Sequence, residues 1–230
     1  MTAPLPDAPA VPGPGHAPPR VGTGVRSARG AVDDGLIGDP VAATAFITAP
    51  DPERPCPASE LYDRPGGGPL FGLGPHHLCA LVHLLGPVSR VTGAASQPDA
   101  ELTGLLEHAG GALTTLVVGS GSHPARLPRV EVHGTEGSLA LPGPDGFDGP
   151  VELHRAGGGW QPLPVSGGHR GGGAGPGVPV AALTEDLPRR DSDELARHAL
   201  DIMQTLLDAA RDGVWLPVRG DHARPEAVRP

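Results

Sequence analysis

The sequence predicts an α+β fold, a mainly antiparallel sheet with helices packed on one face. The order of segments carries this reading: helix, strand, helix, a run of strands joined by short turns, and a final helix. Gly110-Gly111 and the Gly134-Thr135-Glu136-Gly137 turn punctuate the strand run, as hairpins require. The clearest helix comes last, where Leu195, Ala199, Ile202, Met203, Leu206, Leu207 and Ala210 mark one face for about four turns.

The elements follow in order. Residues 1–20 are proline-rich without apolar periodicity and read as a disordered leader. Val25, Ala28, Arg29 and Val32 suit a short helix closed by Gly35. Pro40 to Thr48, β-branched and opened by proline, reads as a strand. A proline-punctuated loop over 49–65 leads to Gly66-Gly67-Gly68 and a helix ending at Gly86-Pro87. Pro75 suits the first position of that helix, which places His76 and His77 in its first turn beside free backbone N–H groups. Strands are expected over 88–95, 101–107, 112–118, 129–133 and 138–141, with weaker ones over 151–154 and 161–165. Gly167 to Gly177 reads as a mobile glycine-rich loop. Asp191 with Glu194 fits a capping box for the last helix, and Gly213 fits its stop. One domain over 21–218, followed by a disordered tail over 219–230, accounts for the length.

Composition narrows the function classes. The 230 residues carry a formal net charge of −9, which argues against nucleic acid as a partner. No basic amphipathic helix or transmembrane-length apolar run points to a membrane. The leader has no basic residue before Arg20 and no apolar core, and the two cysteines make no disulfide framework, so a cytoplasmic location is expected. All 17 basic residues are arginine, so an acid–base lysine cannot come from this sequence. Gly 36 and Pro 30 together exceed a quarter of the chain, and with 3% aromatic residues the core must be aliphatic.

The Gly66–His77 segment carries the chemistry. Glycines let backbone approach a ligand, and imidazole titrates near neutrality, so His76 is either a proton-transfer group or a helix-end histidine bonded to nearby backbone. His77 divides between pocket lining and packing. His76, Cys79 and His83 have a spacing that can bind zinc, but there is no C-x-x-C and no second cluster, so no metal is expected. Gly22-Thr23-Gly24 and Gly119-Ser120-Gly121 lack the strand–loop–helix context and acidic residue of a dinucleotide site.

Gly66 to Ala94, Gly35-Leu36-Ile37-Gly38-Asp39-Pro40-Val41, and Gly134-Thr135-Glu136-Gly137-Ser138-Leu139 together resemble the C-terminal domain of Gfo/Idh/MocA-type oxidoreductases. Residues 21–218 fall within the resemblance. It implies a sugar, polyol or similar small hydroxy compound as substrate, NAD or NADP as cofactor, and a homo-oligomer formed through the sheet. It places His76 at the catalytic histidine position and Gly68, His77 and Arg170 near the substrate, with a solvated loop role the alternative for Arg170. The position four before His76, acidic in that family, is Gly72 here. The family's nucleotide-binding Rossmann domain and its catalytic lysine have no counterpart, so they would come from a separate partner domain or one lost by truncation. The resemblance therefore implies the substrate-binding half of an NAD(P)-dependent oxidoreductase, with low activity alone. The alternative is a non-catalytic binding or oligomerisation module, an inactive remnant.

Overall fold

The structure, a computed structural model, describes residues 23–48, 68–97, 101–119, 130–142, 150–163 and 189–220. The leader, the Gly167–Gly177 loop and the tail from 221 lie outside the described residues.

The elements in chain order are α1 (Thr23–Asp33), β1 (Pro40–Thr48), α2 (Gly68–Leu85), β2 (Val88–Gln97), β3 (Glu101–His108), β4 (Leu113–Gly119), β5 (Val130–Gly134), β6 (Gly137–Leu141), β7 (Glu152–Arg155), β8 (Gln161–Pro162), α3 (Arg189–Asp212) and β9 (Leu216–Pro217). The described strands form one nine-stranded sheet in the order β8-β7-β6-β5-β1-β4-β3-β2-β9. The expected α+β architecture is present, and β1 is its central strand. Two meanders flank it, β2 to β4 on one side and β5 to β8 on the other. Only the β1–β4 pairing is parallel among the described strands.

Period-2 alternation sets the two faces. In β3, Leu102, Gly104, Leu106 and His108 are turned inward and the residues between them outward. In register with them stand Leu116 and Val118 of β4, Ala43, Ala45 and Ile47 of β1, and Val130 and Val132 of β5. The three described helices lie on this apolar face: α1 against β6, α2 against β1 and β4, α3 against β2 and β3. They are neighbours in the order α1–α2–α3, so α2 is the middle helix over the middle strand.

Two close approaches hold the layers. Leu206 of α3 enters a notch made by Gly93 and Gly104, which pair across β2 and β3; a Cβ on Gly104 would stand 2.8 Å from a Leu206 methyl. Elsewhere the loop after α1 clasps the β5–β6 turn. The Thr135 N–H donates to the Asp39 carbonyl (3.0 Å), and the Glu136 N–H to the Ile37 carbonyl (2.9 Å). The Asp39 N–H in turn donates to the Thr135 hydroxyl (3.1 Å). A Cβ on Gly134 would stand 2.1 Å from the Ile37 carbonyl oxygen, so only glycine admits this contact. The two glycine motifs that carried the resemblance at 35–41 and 134–139 are thus two sides of one interlock, and Thr135 and Glu136 serve the turn.

Two helix starts differ from expectation. Helix α2 begins at Gly68, not Pro75, so Pro75 lies in its interior and the histidines are not in its first turn. The Gly-Leu-Gly-Pro text is a poor helix former, but the helix is buried nearly all round from Gly74 to Leu85, and tertiary burial outweighs propensity. Helix α3 begins at Arg189, so Asp191 lies inside it and is not its N-cap. Strand β9, two residues long, was not anticipated. The stop at Gly213, with φ of 67°, is as expected.

Candidate functional site

Helix α2 carries the candidate residues. Gly68 is its first residue, and His76 and His77 stand two to three turns on, so Gly68 lies about 12 Å from His76 along the axis. His76 is 5% and His77 0% exposed, buried in the helix layer. A Cβ on Gly74 would stand 3.2 Å from Met203 Sδ, which marks the α3 side of the helix. At about 100° per residue, His77 lies near that side and His76 about 200° round from Gly74. The two histidines therefore serve different surroundings: His77 belongs with the α2–α3 packing, and His76 with the opposite side of the helix. Arg170 lies outside the described residues, as does Cys56.

His83 shares the His76 side two turns later. Its carbonyl accepts a hydrogen bond from Arg29 of α1, a buried guanidinium that also pairs with Asp33 at 2.6 Å. A cation at the C-terminal end of α2 complements the carbonyls gathered there. Among the described residues, no group of three or more histidine, cysteine or acidic side chains is disposed to hold a metal ion. Burial pushes the Cys79 thiol up to about 12, so it stays protonated and is neither nucleophile nor thiolate ligand near neutrality.

Two further buried histidines, His108 of β3 and His198 of α3, gather at the end of α2. Sequence reasoning passed over them. The signal was present: His108 falls in the inward phase of β3 after Leu102 and Leu106, and His198 lies beside the Leu195–Ala199 stripe. A histidine within an apolar phase is a buried histidine with a hydrogen-bonding task.

Among the described residues, no strand precedes α1, which opens at Thr23, and no helix directly follows β4, which ends at Gly119.

The GFO/IDH/MocA C-terminal domain family model matches residues 25–140, from α1 to Ala140 of β6. The chain belongs to that family. No curated protein matches it in sequence. Solved structures that resemble it include an NAD binding oxidoreductase from Klebsiella pneumoniae (18% identity, TM-score 0.62, 86% of this chain and 65% of that one). Levoglucosan dehydrogenase in complex with NADH gives 18% identity and a TM-score of 0.64, over 86% of this chain and 63% of that one. An oxidoreductase from Agrobacterium radiobacter in complex with NAD+, L-tartaric acid and magnesium gives 15% and 0.52, over 86% and 62%. Identities this low show the shared fold. The chain spans 63–65% of the length of the first two of these relatives.

No described helix is long and apolar enough to cross a membrane.

Proposed function

We propose that this chain is the substrate-binding C-terminal domain of an NAD(P)-dependent oxidoreductase acting on a sugar, polyol or similar small hydroxy compound. The observation that carries this reading is the family match across α1 to β6, which contains the His76-bearing helix α2. His76 is the catalytic residue, taking the proton of a substrate hydroxyl or orienting that hydroxyl; a neutral imidazole has both the acceptor and the donor for it. Arg170 is proposed as a further substrate contact, with Gly68 about two turns before His76 on the same helix, whereas His77, turned toward α3, is left to packing. The sugar class is supported by the fold likeness to levoglucosan dehydrogenase, solved with levoglucosan and with L-sorbose. NAD or NADP belongs to a Rossmann-type partner domain beyond the described residues.

Gly72 favours a second reading. With no carboxylate four residues before His76 and no lysine in the sequence, the chain is then a non-catalytic binding or oligomerisation module. In either reading the sheet face that no described helix covers joins two copies. It exposes Leu105 and Leu113, while both sheet edges end in proline, Pro162 and Pro217, which blunts edge-to-edge pairing.

Calorimetric titration of the purified chain with a panel of pyranoses and polyols, and with NADH and NADPH, tests the first reading. It predicts saturable heat with at least one sugar or polyol and none with the nucleotides. Silence toward the whole panel from a folded chain overturns it in favour of the module.

A further inference from the structure

Helix α2 gives way to β2 through Gly86-Pro87-Val88, with Gly86 at φ 89°. The Gly86 N–H donates to the Val82 carbonyl (2.9 Å), and the Pro87 carbonyl accepts from the Ala109 N–H (2.8 Å). Two other polar groups of this connection are held by imidazoles. The Gly86 carbonyl lies 2.7 Å from His108 Nδ1, and the Val88 N–H donates to His198 Nε2 at 3.0 Å.

These bonds fix the proton positions. A carbonyl only accepts, so His108 Nδ1 carries its hydrogen and Nε2 accepts from the Thr114 hydroxyl, 2.9 Å away. A backbone N–H only donates, so His198 Nε2 is bare. Both rings are 1% exposed, so water does not stand in for a lost partner.

We propose that His198, with His108, forms an acid-sensitive latch on the α2–β2 connection, closed while His198 is neutral and released when its Nε2 takes a proton. A protonated Nε2 sets an N–H against the Val88 N–H; the bond is lost and two donors face each other in a dry interior. Burial lowers the proton affinity of His108 below the ordinary histidine value, its Gly86 bond partly opposing, so His108 holds the other side through neutral pH.

Among the described residues, the ionisable groups on the elements packed here are these. Helix α3 supplies Glu194, Arg197 and Asp201 within a turn of His198. Helix α2 brings Cys79, protonated, and the histidines at 76, 77 and 83. Arg29 with Asp33 reaches the α2 end from α1. Arg90 of β2 and Glu107 of β3 pair with each other at 2.6 Å. Beyond β9 the next charge is Arg219. Release would loosen the end of the helix that carries His76, whatever that helix binds.

Amide hydrogen exchange of the full chain, followed by NMR from about pH 7.5 to about pH 5, reads the latch. Corrected for intrinsic exchange, the protection of the Val88 amide falls at least tenfold, while Leu116 in the middle of the sheet keeps its own. His198→Gln keeps an acceptor that cannot be protonated, and its Val88 protection stays level with pH. Val88 protection unchanged in the native chain, or lost in step with Leu116, overturns the proposal. So does the same acid response in His198→Gln. Should that variant not fold, the native comparison of Val88 with Leu116 decides alone.

Discussion

At the scale of single residues, the decisive quantity is what a new atom would meet. A Cβ at Gly134 meets a backbone carbonyl at 2.1 Å, which cannot turn aside without breaking the 35–39 interlock. A Cβ at Gly104 meets the methyls of Leu206 at 2.8 and 3.1 Å, which a rotamer change can relieve. Gly134→Ala is therefore expected to cost about 3 kcal/mol or more, and Gly104→Ala about 1–3 kcal/mol, in chemical unfolding. The reverse ranking would show that the clasp is not where the fold is tightest. His108 adds a pH dependence. Its folded-state proton affinity is lowered from the ordinary 6.5, so the unfolded chain binds the proton better. Its stabilising contribution is present above pH 6.5 and is lost as the pH falls through the lowered folded value. Unfolding free energies of the native chain and His108→Gln should therefore converge in acid; a gap that widens as the pH falls would refute that sign.

At the scale of elements, legibility in the sequence tracked how local the cause was. Strand β1 was readable to the residue, because β-branched text bounded by Pro40 and by a proline-rich loop needs no partner to declare itself. The amphipathic α3 was readable in its apolar stripe, but not in its start, where polar residues at 189–191 carry no periodicity. Helix α2 misled because Gly72, Gly74 and Pro75 are local breakers. The forces that make it helical are long-range: burial between α1 and α3 and the Gly74–Met203 approach. The candidate site suffers from the same cause. The sequence could name His76 and His77, but not that helix geometry turns them to different sides. Strand β9 is too short for any periodicity; it is held by pairing with β2 and by Arg90 over the Trp215 ring, 4.9 Å from its centroid. The helix layer carries a test of its own. Leu206→Ala empties the Gly93–Gly104 notch and should cost about 2–5 kcal/mol, whereas Leu200→Ala on the same helix, 52% exposed, should change stability by under about 0.5 kcal/mol. Equal costs would mean that α3 does not seat on the sheet through Leu206.

At the scale of the whole molecule, one sheet face is covered by the three described helices and the other carries no described element. Leu105 and Leu113, 39% and 45% exposed, stand on that second face with Phe46 and Val117 half-buried beside them. Burying such a patch against a second copy is the direct way to remove it from water. Analytical ultracentrifugation should then find a dimer that Leu105→Glu with Leu113→Glu returns to monomer, the fold intact by circular dichroism. A monomeric native chain at micromolar concentration would assign the face another role. The central claim, however, concerns α2 and its histidine. The measurement that tests it most directly is the affinity of the folded chain for its sugar or polyol ligand in the native form and in His76→Gln, with circular dichroism matched between the two. The account predicts a loss of about tenfold or more when the imidazole is removed. Unchanged affinity in a folded His76→Gln chain would contradict it and leave His76 as a packing residue of the central helix.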